Sequence, residues 1–239
     1  MLSFSVIDSL KKTLLVKPHP AGIPFIVGGV VATVVLMMIL EELGIIGLIF
    51  TLFCVYFFRD PVRVTPEGPS LVVAPADGVV SAIDHNASLP AEIAGDDGKT
   101  YTRVSIFLSV LDVHVNRIPF TGKTVRKVYR PGKFLNADLD KASEENERCS
   151  VLIEADNGMT FGVVQIAGLI ARRILNDLSE AQAVSVGSRF GIIRFGSRVD
   201  TYIPSGIPVQ ICVGQRAVGG ETVLADIGST GADRQGQSS

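Results

Sequence analysis

Charged side chains are almost missing from one stretch of this chain, and that stretch limits what the chain can fold into. Residues 18–58 contain only two charged side chains, Glu41 and Glu42, although the 239 residues of the chain include 46. Forty of the 46 lie in residues 59–239, roughly 22% of that part, which is close to the share typical of a soluble domain. The sequence therefore predicts a membrane segment followed by a globular domain.

The two glutamates divide the apolar stretch into two runs. Residues 23–40 give 18 uncharged positions, about 27 Å of helix, and residues 43–58 add 16, about 24 Å. Basic residues flank the pair on both outer sides: Lys11, Lys12, Lys17, Arg59 and Arg63. Because basic residues favour the cytoplasmic side, we expect a transmembrane helical hairpin (about 21–40 and 43–58) in a membrane anchor of residues 1–60. Both ends, and the domain that follows, would then lie in the cytoplasm.

A signal peptide and a pair of buried core helices are the alternatives to a membrane anchor. A signal peptide typically ends in a small-residue cleavage site after one apolar run, and none is evident here. Core helices typically have a polar face, and neither run has one. The membrane interpretation is therefore favoured, and whether the second run crosses the bilayer or only re-enters it stays open.

Composition argues against several classes of function. The net charge of −2 gives no general attraction to nucleic acid. The three cysteines, Cys54, Cys149 and Cys212, form no paired framework, and no His/Cys cluster predicts zinc, so we expect no metal.

Residues 61–239 are expected to fold as a separate, β-rich domain. Short apolar runs bounded by glycine and proline predict strands at 71–74, 103–108, 124–129, 150–154, 161–167, 192–195, 209–213 and 222–224. Helical spacing of apolar residues is confined to about 136–147 and 169–180. The expected fold is an α+β domain, an antiparallel barrel or sandwich with few helices.

Polar side chains that could carry chemistry follow two of these strands. Asp77 precedes a glycine, a pair that is also ordinary in turns. The loop after strand 103–108 holds four polar residues: Asp112, His114, Asn116 and Arg117. Strand alternation would place the first three on one face of an extended segment. A histidine in such a cluster is either a surface residue with a satisfied partner or a general acid or base.

Gly196-Ser197 forms a third pattern, within RFGSRVD at 194–200. A tight turn between strands explains this dipeptide equally well, and Gly-Ser occurs twice more, at 187–188 and 228–229. Together with Asp77 and His114, Ser197 completes the Asp-His-Ser set used in nucleophilic catalysis. The Gly-x-Ser-x-Gly elbow of many serine hydrolases is absent.

From residue 19 to about residue 225 the chain resembles the phosphatidylserine decarboxylase family, in its short, membrane-anchored bacterial form. The likeness rests on the order and spacing of five segments: HPAG at 19–22, PADG at 75–78, FLSVLDVHVNRIPFTG at 107–122, YRPGKFLNADLDKASEENER at 129–148 and RFGSRVD at 194–200. Each segment is weakly specific alone, and the set is highly specific.

The resemblance implies a lyase whose pyruvoyl cofactor is made from its own Ser197. Ser197 would attack the carbonyl of Gly196, and the chain would split into a β chain, 1–196, and an α chain, 197–239, which stay associated. The new pyruvoyl group would form a Schiff base with phosphatidylserine, and loss of CO2 would give phosphatidylethanolamine in phospholipid biosynthesis. The resemblance also implies the inner membrane, with the catalytic domain on the cytoplasmic side, and no metal.

By resemblance, His114 is the base for Ser197, Asp77 orients it, and Asp112 and Arg117 are possible supporting residues. Longer relatives carry two histidines three residues apart in this loop, whereas this chain has His114 and then Arg117. An arginine stays protonated and is a poor general base. We therefore expect His114 to serve both self-cleavage and decarboxylation.

Three other functions fit parts of the sequence. A decarboxylase of another serine phospholipid would look nearly the same, and a membrane-tethered serine hydrolase would use the same three residues in an intact chain. A lipoyl or biotinyl carrier domain, which APADGVV at 74–80 also resembles, needs a lysine displayed on a hairpin, and no such site is present. The sequence leaves lipid preference and oligomeric state open.

Overall fold

The computed structural model describes residues 16–95, 98–132, 145–168, 173–194 and 197–236. Within it the chain divides into two compact units, the first ending at Val62 and the second beginning at Arg63. The first unit is helical, and the second consists mainly of strands.

Two apolar helices make up most of the described part of the first unit. A short 3-10 turn, Pro20–Gly22, leads into helix α1, Ile23–Ile39, and helix α2 follows at Glu41–Phe57. The chain is extended at Leu40 between them, and Glu41 and Glu42 fill the first turn of α2. Negative charge there is favourable, because the N-terminus of a helix carries a partial positive charge.

Small residues allow α1 and α2 to approach closely. A Cβ added to Gly47 of α2 would lie 2.9 Å from the Cα of Thr33 on α1, so no larger residue fits at this position without movement. The hydroxyls of Thr33 and Thr51 lie 3.1 Å apart across the contact. Close packing of small residues with buried hydroxyls is typical of helix contacts in membranes.

The apolar surface of α1 that does not face α2 remains exposed. Met38 is 83% exposed and Val31 is 58% exposed. Among the described residues, one helical segment, Pro20–Ile39, is long and apolar enough to cross a membrane. The expected apolar N-terminal helix is therefore confirmed, whereas a hairpin in which α2 also crosses stays a prediction.

Strands form the second unit, and all of their pairings are antiparallel among the residues described. The strands are β1 Leu71–Val73, β2 Gly78–Ala87, β3 Tyr101–Leu108, β4 Val115–Arg117, β5 Gly122–Arg130, β6 Arg148–Glu154, β7 Thr160–Ala167, β8 Ile174–Asn176, β9 Ala183–Val184, β10 Arg189–Ile193, β11 Ser197–Pro204, β12 Arg216–Ala217 and β13 Val223–Asp226. Eight form one sheet in the order β12-β2-β3-β11-β7-β6-β5-β9, and β4-β10-β8 and β1-β13 form two smaller sheets. The expected β-rich, antiparallel domain with few helices is confirmed.

The two faces of the eight-stranded sheet bury different cores. Along the central strand β11, Val199 and Ile203 belong to the larger core, whereas Tyr202 belongs to a smaller one. The larger core includes Phe120 stacked on Phe161, with ring centroids 4.5 Å apart. Alternation along β11 therefore assigns successive side chains to opposite faces.

Two expectations about local structure were wrong. Residues 209–213 form no strand, and only Val209 makes an isolated bridge, to Ala225. The backbone N–H groups of Val209 and Cys212 donate instead to the side chains of Asp233 and Gln215. The described part of 169–180 is not helical, because Ile174–Asn176 pairs with β10. Most of the other predicted helix, 136–147, lies outside the described residues.

A buried ion pair lies next to the smaller core. Arg148 donates to the two carboxylate oxygens of Glu92 over 2.6 and 3.1 Å, and the hydroxyl of Ser150 donates over 2.9 Å. Burial alone would raise the pKa of Glu92, but the hydrogen bonds and the charge of Arg148 outweigh it and lower the pKa to about 2.

We expect Glu92 to make the stability of the domain depend on pH under acidic conditions. Because its pKa is lowered in the folded state, its ionised form stabilises the fold above about pH 4.5, by roughly 3 kcal/mol, and this stabilisation is lost as the pH falls towards 2. The difference in unfolding free energy between wild type and Glu92→Gln should shrink over that interval. Denaturant unfolding in detergent at several pH values measures it, with exposed Glu154→Gln as the control. A difference that stays constant down to pH 2 would contradict this expectation.

Candidate active site

Ser197 is the first residue of β11 and lies in the middle of the large sheet. It pairs with Leu108, the last residue of β3, and with Ala167, the last residue of β7. Its side chain is fully buried, and its Oγ has no hydrogen-bond partner among the described residues. Leaving a buried hydroxyl without a partner costs about 1–3 kcal/mol. Because this cost lowers the stability of the fold, the buried hydroxyl of Ser197 indicates a role other than stabilisation.

Asp77 and His114 lie near the same ends of the strands of the large sheet, Asp77 just before β2 and His114 after β3. Val79 of β2 pairs with Phe107 of β3, so Asp77, just before β2, lies beside the end of β3. His114 follows in the loop that leaves β3, and its carbonyl accepts a 3.3 Å hydrogen bond from the backbone of Ile193. Ile193 ends β10, four residues before Ser197. The register thus places the backbones of Asp77, His114 and Ser197 near the same ends of β2, β3 and β11.

The carboxylate of Asp77 is held from two sides. Arg63 donates to Oδ2 over 2.6 Å, and the backbone N–H of Gly219 donates to Oδ1 over 2.8 Å. Both side chains of the Arg63–Asp77 pair are only 15% exposed. From the sequence, Arg63 is predictable only as a basic flank of the apolar runs, since a separation of 14 residues carries no pairing signal.

His114 is fully buried, and its Nδ1 lies 3.0 Å from the carbonyl oxygen of Asp112. A carbonyl oxygen can only accept a hydrogen bond, so this contact favours the ring form with hydrogen on Nδ1. In the neutral ring, Nε2 is then the basic nitrogen. This is the form that a general base requires.

Asp112 shapes the loop that carries His114. Its Oδ2 accepts hydrogen bonds from the backbone and the hydroxyl of Ser109, each 2.8 Å long, and its Oδ1 pairs with Arg216. The extended segment expected to hold Asp112, His114 and Asn116 does not include Asp112, because the chain turns at Ser109–Asp112 and β4 begins only at Val115.

Arg117 is buried and bound to the main chain. Its Nη1 donates to the carbonyl of Gly187 over 2.9 Å, and its backbone N–H donates to Pro75 over 2.8 Å. A Cβ added to Gly220 would lie 2.7 Å from the Cδ of Arg117, so glycine makes room for this side chain. These contacts join β4 to the PADG segment, and a guanidinium does not provide a base.

The other Gly-Ser positions lack these features. Ser188 is exposed, and its Oγ donates to the carbonyl of Ser185 over 2.6 Å. Ser229 lies in the turn that follows β13. Of the three serines, Ser197 is the one that is buried at the start of a central strand.

In the part of the chain that the structure describes, no group of three or more His, Cys, Asp or Glu side chains could hold a metal ion. The groups that Ser197, His114 and Asp77 offer for chemistry are a hydroxyl, an imidazole and a carboxylate. Such a set can deprotonate and position an oxygen nucleophile.

Comparisons with known proteins identify the family of this chain. A family model for phosphatidylserine decarboxylase matches residues 50–225. The phosphatidylserine decarboxylase proenzyme of Beijerinckia indica subsp. indica is 53% identical over 208 residues, which cover 87% of this chain and 88% of the relative. That of Granulibacter bethesdensis is 51% identical over 223 residues, which cover 93% and 90% of the two chains. With similarity this high over most of each chain, the protein belongs to the phosphatidylserine decarboxylase family.

Proposed function

We propose that this chain is a pyruvoyl-dependent phosphatidylserine decarboxylase, made as a precursor that cuts itself between Gly196 and Ser197. It would convert phosphatidylserine to phosphatidylethanolamine and CO2. The observation that carries the proposal is the buried Ser197 hydroxyl, which has no partner among the described residues and lies at the edge that also carries Asp77 and His114. Both relatives are named proenzymes, which supports a precursor.

Self-cleavage begins with the proton on the Ser197 hydroxyl. Nε2 of His114 takes this proton while Oγ attacks the carbonyl carbon of Gly196, and the peptide nitrogen leaves with a proton. The product is an ester that joins the Gly196 carbonyl to Oγ. Removal of the α-proton of residue 197 then expels the Gly196 carboxylate, and hydrolysis of the dehydroalanine releases ammonia and leaves a pyruvoyl group.

The surroundings of position 197 fit a pyruvoyl group. The group is neutral and about as large as the serine it replaces, so it adds no charge to the buried position between Leu108 and Ala167. When present, it supplies an electrophilic carbonyl for the substrate amine and an electron sink for loss of CO2. His114 holds the proton that Nε2 delivers to the α-carbon after CO2 has left.

The sheet supports continued association of the two chains after cleavage. The α chain, 197–239, would contribute β11, which pairs along its length with β3 and also with β7 of the β chain. It would also contribute β13, which pairs with β1. Separation of the chains would therefore break the large sheet through its middle.

We propose that residues 1–60 anchor the enzyme in the inner membrane, with the catalytic domain in the cytoplasm. The apolar, exposed α1 and a lipid substrate support this location. A fluorescent protein fused after Ser239 should fluoresce, and alkaline phosphatase at that position should be inactive, because basic flanks keep both ends inside. Fusions after Leu40 should show the opposite pattern if α2 also crosses. An active phosphatase after Ser239 would contradict the cytoplasmic orientation.

The intact mass of the purified protein, together with a decarboxylation assay, tests the proposed function. We expect chains 1–196 and 197–239, the second without a serine amino terminus, and release of CO2 from phosphatidylserine. An active protein that remains one chain would instead indicate the tethered serine hydrolase. Parallel assays on serine phospholipids with different backbones distinguish the proposed substrate from a related one.

A further inference from the structure

Three side-chain amides link the β4-β10-β8 sheet to the eight-stranded sheet. Asn176 Nδ2 donates to Gln165 Oε1 over 2.8 Å, and Gln165 Nε2 donates to Asn116 Oδ1 over 2.8 Å. Asn116 and Asn176 pair with Gly191 from its two sides. Gly191 leaves the space that the Gln165 amide reaches, since a Cβ there would lie 3.1 Å from Gln165 Nε2.

A backbone N–H group sets the direction of all three amides. The N–H of Leu178, which can only donate, donates to Asn176 Oδ1 over 3.1 Å. Asn176 must therefore present Nδ2 to Gln165, and Gln165 must present its own NH2 to Asn116. The oxygen of Asn116 is thereby occupied, and its NH2 group is left to donate elsewhere.

The NH2 group of Asn116 has no hydrogen-bond partner among the described residues, and Asn116 is fully buried. Burying such a donor without an acceptor costs about 1–3 kcal/mol, and no hydrogen bond within the amide chain compensates for this cost. The register of β7 and β11 relates the amide chain to Ser197. Gln165 pairs with Val199 and Ala167 pairs with Ser197, so strand alternation places the side chains of Gln165 and Ser197 on the same face of the sheet.

We propose that Asn116 Nδ2 donates a hydrogen bond to the carbonyl oxygen that becomes negatively charged when Ser197 attacks. The proposal rests on the proposed self-cleavage and adds a donor that the mechanism otherwise lacks. A donor that is unused in the resting fold and is used as charge develops stabilises the transition state more than the ground state. The amide chain holds this donor in place before the reaction.

Asn116→Asp tests the donor directly, because an ionised carboxylate keeps the shape of the side chain and cannot donate. Removal of one such donor slows comparable reactions by about 100-fold, so we expect cleavage of the purified precursor to slow by about that factor. Thr201→Val is the matched control. It removes another buried polar atom that lacks a partner in the described part of the chain, from the same strand as Ser197, and should cleave at the wild-type rate.

Asn176→Asp tests the amide chain without changing Asn116. Aspartate at 176 cannot donate, so Gln165 would turn its NH2 group towards residue 176 and its oxygen towards Asn116. Asn116 would then use its NH2 group to bond Gln165, and we expect cleavage to slow by about tenfold or more. Gel analysis of precursor cleavage over time measures all three variants, and thermal unfolding in a Ser197→Ala background shows that each variant folds.

The outcomes separate this inference from the proposed function. If wild type is cut at Ser197 and both folded aspartate variants are cut at the wild-type rate, Asn116 is not the donor and the proposed function stands. If an aspartate variant fails to fold, the other variant decides. If wild type is not cut at Ser197, the proposed function fails and this inference fails with it.

Discussion

Ser197→Ala should leave a single chain of 25.5 kDa with no decarboxylase activity. Alanine has no oxygen to accept the acyl group from Gly196, so neither the ester nor the pyruvoyl group can form. The surrounding fold should persist, because the Ser197 hydroxyl bonds no described residue and its loss breaks no hydrogen bond among them. Intact mass measures the processing, and CO2 release from phosphatidylserine measures the activity.

The other two Gly-Ser positions provide controls for this result. Ser188→Ala and Ser229→Ala should be cut as completely as wild type, because neither serine is at the start of a central strand. Ser197→Cys should be cut slowly, since a thiol can perform the same acyl shift. Complete cutting of Ser197→Ala would place the scissile bond elsewhere and end the proposed role of Ser197.

The sequence predicted those parts of the fold that depend on local pattern. The scarcity of charge over residues 18–58 predicted the apolar helices, and short apolar runs predicted β3, β6 and β7. Pattern failed at residues 209–213 and at Ile174–Asn176. A short apolar run does not reveal whether a partner strand is available, and that depends on contacts with distant segments.

The candidate site was predictable only as a set of residue types. Motif order selected Asp77, His114 and Ser197, but their convergence depends on the register of β2, β3 and β11. Polar contacts around the candidate site join residues that are separated along the chain: Arg63 with Asp77, Arg216 with Asp112, and Gln165 with Asn116, at separations of 14, 104 and 49 residues. No pattern in one sequence encodes such pairs.

Asp77 and Arg117 should differ in their effects on cleavage. Asp77→Ala should block cleavage as the loss of the His114 imidazole would, because it removes a carboxylate of the proposed catalytic set and leaves Arg63 without its 2.6 Å contact. Arg117→Ala should slow cleavage without abolishing it, since the guanidinium bonds the Gly187 carbonyl and supplies no base. Cleavage by Asp77→Ala at the wild-type rate would remove Asp77 from the catalytic set.

His114→Ala should block both self-cleavage and decarboxylation, because this chain has arginine where longer relatives have a second histidine. Loss of a general base costs about 100- to 10,000-fold in rate, and Nε2 of His114 is the basic nitrogen of the neutral ring when Nδ1 donates to the Asp112 carbonyl. Gel analysis over hours should show the uncut precursor, and added imidazole should restore part of the cleavage if the buried space admits it.

A His114→Ala protein that splits normally would show that another group activates Ser197. Decarboxylation by those separated chains would then decide whether His114 returns the proton during turnover: activity near wild type would exclude it from both reactions, and a loss of about 100-fold or more would confine it to the second.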